Sequence, residues 1–161
     1  MITDLSDGWK QIGDNWYYVK DQSILKAQWL IFENAIYYLD EDGKMLENEE
    51  CLLEDITGDG SHVYHFGSGG ALITGWYQTS SGEWNYFDSN GLAVTGWLKL
   101  NTVWYYFSED GVMETGWNDI DGTWYYFDVS GSMHTGWLQL GNNWYYLQDL
   151  SLIHISEPTR P

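Results

Sequence analysis

From Thr95 to Tyr146 the chain says one thing three times. Gly96-Trp97 leads to Trp104-Tyr105-Tyr106-Phe107 and then to Gly111, Met113 and Thr115. Gly116-Trp117 leads to Trp124-Tyr125-Tyr126-Phe127, Gly131, Met133 and Thr135 at the same offsets, and Gly136-Trp137 opens a third copy that reaches Trp144-Tyr145-Tyr146-Leu147. The step from Trp97 to Trp117 to Trp137 is 20 residues. A unit that short cannot enclose a core of its own. It must bury its apolar side against its neighbours, so the period predicts a stacked array.

Earlier units follow the same ruler. The first has Gly8-Trp9, a turn at Gly13-Asp14 and Trp16-Tyr17-Tyr18-Val19, with Ser23-Ile24-Leu25 in place of the Gly and Met. The second starts at Trp29 with Gln28 before it, puts Ile36 where the second Trp should stand, and keeps Tyr37-Tyr38-Leu39, Gly43 and Met45. In the third, Cys51 falls near the expected Trp and Val63-Tyr64-His65-Phe66 replaces the aromatic run. Its turn is lengthened around Thr57-Gly58-Asp59-Gly60, because Cys51 to Trp76 spans 25 residues against the regular 20. The fourth, Gly75-Trp76 through Trp84-Asn85-Tyr86-Phe87, is regular but one residue longer. Residues 6–149 are thus expected to form about seven repeats, the second and third degenerate. Residues 150–161 form a non-repeat tail. It holds the only Arg and both prolines (Glu157-Pro158-Thr159-Arg160-Pro161), reads as foreign to the native protein, and is expected to be loosely held.

Within a unit, two short aromatic runs flank a turn pair such as Asp121-Gly122 or Gly141-Asn142, residues that accept positive φ; in the fifth unit the separator reads Asn101-Thr102-Val103. Each unit is therefore predicted to be a β-hairpin. No ten-residue window carries a 3.6-residue apolar period, so helix is not expected. The fold class is all-β: a β-solenoid, or superhelix, of tandem hairpins of about 20 residues. Strand alternation puts Trp104 and Tyr106 on one face and Tyr105 and Phe107 on the other.

Composition narrows the function. Against 24 acidic residues stand 6 basic ones, a formal charge of −18. That argues against nucleic acid, whose affinity rests on Lys and Arg, and it favours cationic ligands. The aromatic content leans on 11 Trp and 13 Tyr over 5 Phe, the amphipathic rings of half-wet surfaces. Cys51 is the only cysteine, so neither an intrachain disulfide nor a thiolate metal cluster is expected. No apolar run reaches the length of a membrane span. The N-terminus has no basic, then apolar, leader, so either the leader is absent from this chain or the chain is a fragment. Asp-rich turns such as Asp40-Glu41-Asp42-Gly43 lack the spacing of a calcium loop and read as turn formers. Cys51, His62 and His65 lie close in sequence but nothing orients them for catalysis, and neither a catalytic residue, a metal ligand nor a cofactor is expected.

Two Trp per unit, followed by Tyr-Tyr-Phe and Gly-x-Met-x-Thr-Gly-Trp at this period, resemble the choline-binding, cell-wall-binding repeat of pneumococcal surface proteins and wall hydrolases, over Gly8 to Tyr146. The resemblance implies aromatic boxes made by two Trp of one hairpin and one Tyr of the next, often with a Met, around the trimethylammonium of choline. Carried over by position, with alternation choosing the second Tyr, four boxes are expected. They are Trp9, Trp16 and Tyr38, with Leu25 in place of a Met; Trp76, Trp84 and Tyr106, with Val94 there; Trp97, Trp104 and Tyr126 with Met113; and Trp117, Trp124 and Tyr146 with Met133. The box of the second unit is expected to be broken by Ile36 and His65, and that of the last, Trp137 and Trp144, to be open unless a second chain closes it in a homodimer. The implied partner is choline or phosphocholine on teichoic or lipoteichoic acid, and the implied location is the outer surface of a Gram-positive cell. Two other readings compete. Glucan-binding repeats of extracellular glucosyltransferases and toxins share Tyr-Tyr-Phe and Thr-Gly-Trp but usually lack the second Trp, which is present here in five of the seven units. A purely structural stalk would use the same rings for packing alone.

Overall fold

The structure, a computed structural model, describes residues 1–148. Those residues form a succession of β-hairpins, with no helix among them. Strand β1 (Gly8–Ile12) pairs with β2 (Asn15–Lys20), to which the short β3 (Ser23–Ile24) adds. The following hairpins are β4 (Gln28–Phe32) with β5 (Ala35–Leu39), β6 (Glu49–Glu54) with β7 (Ser61–Phe66), and β8 (Gly75–Gln78) with β9 (Trp84–Phe87). The regular stretch adds β10 (Gly96–Leu100) with β11 (Val103–Phe107), β12 (Gly116–Ile120) with β13 (Thr123–Phe127), and β14 (Gly136–Leu140) with β15 (Asn143–Leu147). The expected tail at 150–161 lies outside the described residues.

The registers sharpen two expectations. Leu100 pairs with Val103, so the turn of the fifth hairpin is the two residues Asn101-Thr102, not three. In the third hairpin Glu50, not Cys51, takes the place of the first Trp. Glu50 pairs with His65 as Trp97 pairs with Tyr106, while Cys51 pairs with Tyr64. The expected place was off by one residue, which in a strand moves a side chain to the opposite face. A 2.9 Å contact between the Glu50 carboxylate and His65 Nε2 occupies the place of two rings.

The described residues divide into two compact units, Met1–Gly75 with Phe87–Leu92, and Trp76–Tyr86 with 93–148. Each is built on the residue that closes the aromatic run of its second strands. Val19, Leu39, Phe66 and Phe87 are buried in the first unit, and Phe107, Phe127 and Leu147 in the second. Removing a side chain of this size from water contributes roughly 1.5–3 kcal/mol, which is why the run closes on Phe or an aliphatic residue and never on a polar one.

In four places the segment after a hairpin laces it to the hairpin before. In the second unit Met113 bridges to Phe107 in its own repeat, while its N–H donates to the Trp84 carbonyl of the preceding one at 2.8 Å. Met133 does the same for Phe127 and Trp104. In the first unit Met45 reaches Trp16, and Leu72 reaches Ile36, each at 2.8 Å. The acidic turns between serve this lacing. The Asp128 carboxylate accepts the N–H of Ser130 and of Ser132, and Asp40 those of Asp42 and Lys44.

Candidate functional site

Cross-strand pairing gives each hairpin two distinct faces. In β10–β11, Trp97 lies opposite Tyr106 and Lys99 opposite Trp104, so these four share a front face, and Leu98, Tyr105 and Phe107 share the back. Within each unit, successive hairpins meet front to back. Trp76 therefore touches Tyr105 of the following hairpin at 5.0 Å between ring centroids, with the planes at 71°. Its other neighbour, Trp84, stands at 6.1 Å and 86°. Three rings set nearly at right angles wall a cavity of about 380 Å³, with Met113 as a further wall and Val129 and Ser130 at the rim. Trp76 and Trp84 remain 39% and 38% exposed.

The arrangement recurs. Trp97 meets Trp104 at 5.9 Å and Tyr125 at 4.8 Å, and Met133, bonded through its N–H to Trp104, packs against the core that contains Tyr125. Trp117 meets Trp124 at 6.5 Å and Tyr145 at 5.1 Å; the matching Met position, 153, lies outside the described residues. In the first unit Trp9 meets Tyr37 at 5.1 Å, and Trp9, Trp16, Tyr37 and Met45 line a cavity of about 390 Å³.

The structure thus brings the expected Trp pairs together but corrects their partners. Tyr106, Tyr126, Tyr146 and Tyr38 each lie against the first Trp of their own hairpin, at 5.0, 5.2, 5.0 and 5.1 Å. The ring that closes a box is the tyrosine before it. Met113 and Met133 likewise serve the box one repeat earlier than expected, and Met45, unexpected, completes the first. The reason is geometric: stacked copies present unlike faces to each other, so a residue that looks forward beside its own Trp cannot face the Trp behind. Applied to alternation, that rule would have found Tyr37, Tyr105, Tyr125 and Tyr145. It also gives the second unit an aromatic partner, since Trp29 faces Tyr64 at 4.8 Å rather than His65, although Ile36 still stands in place of the second Trp.

Chemically the boxes offer ring faces and no hydrogen-bond donor to a cation's methyl groups. Burial first, and then the nearby Asp121, pushes the Tyr125 phenol above its ordinary range, so it stays a neutral ring. Lys99 demonstrates the attraction, its ammonium lying 5.6 Å from the Trp104 centroid. Trp137 and Trp144 stand 50% and 38% exposed, with no following hairpin among the described residues.

Comparison with known proteins agrees with this geometry. The model of the cell wall binding repeat matches residues 7–22, 28–45, 74–93 and 95–113, and that of the choline-binding repeat matches 114–151. Hairpin β6–β7 falls in the unmatched stretch. Choline binding protein F of Streptococcus pneumoniae is 36% identical, with a TM-score of 0.72 over 90% of this chain and 50% of that one. CbpJ of the same species is also 36% identical, with a TM-score of 0.73 over 90% and 51%. The pneumococcal cell wall endolysin of phage Cp-1, solved in complex with choline, is 28% identical, with a TM-score of 0.51 over 83% and 39%. The chain spans about half the length of the two pneumococcal proteins. No curated protein sequence matches it. With six of its seven hairpins matched by these repeat models and its fold superposing on those proteins, the chain belongs to the choline-binding, cell-wall-binding repeat family.

Proposed function

We propose that this chain is a binding module, with no chemistry of its own, that holds the protein to the outside of a bacterial cell by gripping choline or phosphocholine on teichoic and lipoteichoic acids. The observation that carries the reading is the repeated three-ring box. Its members are Trp9, Trp16 and Tyr37; Trp76, Trp84 and Tyr105; Trp97, Trp104 and Tyr125; and Trp117, Trp124 and Tyr145. A quaternary ammonium has no N–H to donate, so a carboxylate can offer it charge attraction but no hydrogen bond, while each ring face gives roughly 0.5–2 kcal/mol. Three faces support binding of about millimolar strength per box, and several boxes on one polymer raise the effective affinity by about 10²-fold or more. Continued front-to-back stacking would wind the hairpins into a solenoid. The open rings of Trp137, Trp144 and Tyr146 would be closed by a second copy of the chain.

Thermal unfolding followed by near-UV circular dichroism tests this directly. Choline at tens of millimolar should raise the midpoint and change the Trp signal, since a ligand at a few times Kd adds roughly 1 kcal/mol per site. Ethanolamine should do neither. A response to dextran and not to choline would transfer the boxes to glucan, and no response to either would leave them as packing. Sedimentation in the same solutions should find a dimer; a monomer at high concentration would remove the second copy.

A further inference from the structure

The second hairpin departs from the regular ones on its front face. In four of those a polar side chain lies opposite the second Trp: Gln11 opposite Trp16, Lys99 opposite Trp104, Asp119 opposite Trp124, Gln139 opposite Trp144. In β4–β5 the same two places hold Ile31 and Ile36. Leu72 stands where Met45 and Met113 stand, with its N–H on the Ile36 carbonyl. Trp29 and Tyr64 keep their aromatic contact at 73°.

The lengthened turn of the third hairpin completes the change. The Trp29 indole N–H donates to the Glu54 carbonyl at 2.9 Å, which fixes the ring. Ile56 and Asp55 from that turn join the lining, as does Asn90. The resulting cavity is about 140 Å³, against about 380 Å³ and 390 Å³ in two of the regular boxes. Four aliphatic side chains and two aromatic rings make its apolar walls. Its rim carries a carboxylate, which the hydroxyl and N–H of Thr57 hold in the ionised form.

This is poor chemistry for a trimethylammonium. The third ring is gone, the space is smaller, and the carboxylate rewards a cation that can donate N–H bonds. Four aliphatic side chains reward methylene groups. We propose that this cavity is a second, chemically different site that takes a primary alkylammonium, with its methylenes against Ile36, Ile56 and Leu72 and its ammonium between the Trp29 face and Asp55. The proposal stands whichever ligand the regular boxes take.

The test uses the full chain with ¹⁵N-labelled indoles, the Trp29 resonance being identified by its loss in Trp29→Phe. n-Butylammonium chloride should move that resonance saturably and with a lower midpoint than choline chloride. Asp55→Asn keeps an oxygen to accept from Thr57 but removes the charge. It should weaken the response about 2- to 5-fold, as expected for a solvent-accessible ion pair. A measurement that needs no variant is the same titration with n-butanol, which should be weaker by at least a comparable factor. The proposal is overturned by an unmoved Trp29 resonance, by butanol matching butylammonium, by a folded Asp55→Asn protein that responds like the parent, or by choline binding there more tightly.

Discussion

Two adjacent tyrosines of identical chemistry do different jobs. Tyr105 points back into the box of Trp76 and Trp84, while Tyr106 lies at 5.0 Å against Trp97 of its own hairpin. Replacing Tyr105 by Leu should remove one ring face, about 1 kcal/mol, and so weaken ammonium binding in that box about 5-fold. Tyr106→Leu should leave it unchanged. Choline titration read at the Trp84 indole resonance separates them, and equal losses would sink the assignment. The Trp pairs were legible in the sequence, because two Trp at fixed spacing already imply a shared face. The tyrosine was not. Alternation says which side chains share a face, but which neighbour that face meets is a property of stacking.

At the scale of the element, the segment between hairpins links three repeats. Gly131 is at φ +83°, and a Cβ placed there would fall inside the Met113 side chain. Met113 in turn lines the box made by Trp76 and Trp84. Gly131→Ala should therefore cost about 1–2 kcal/mol through backbone strain and crowding, and should also lower affinity in that box severalfold by displacing Met113. Gly136 has a similar φ of +80° but open space around it, so Gly136→Ala should cost stability while sparing that box. Denaturant unfolding and choline titration of the two variants, side by side, check both halves of the expectation. The hairpins could be read almost to the residue from their turn pairs and aromatic runs. The lacing could not, because the Gly-x-Met pattern signals a turn without saying that the Met N–H reaches the previous hairpin. The third hairpin misled for a further reason: a lengthened turn leaves the register free by one residue, and Cys51 offered a more plausible substitute for Trp than Glu50 did.

For the molecule as a whole, every box draws its Trp pair from one repeat and its Tyr from the next. Excising Gly96–Thr115, one full period, should join Thr95 to Gly116 and bring Tyr125 and Met133 to Trp76 and Trp84. The shortened chain should fold and bind choline with the same affinity per site, but with three boxes in place of four, as isothermal titration would count. A loss of two boxes would show that the repeats are not interchangeable. Because each cavity belongs to a seam and to neither of the units that meet there, capacity is passed on by copying. A recombination event that inserts one regular unit adds one seam already in register. A decayed unit silences the seam on either side of it, and one that decays while gaining a longer turn, as the third has done, leaves its neighbourhood free to acquire a different appetite.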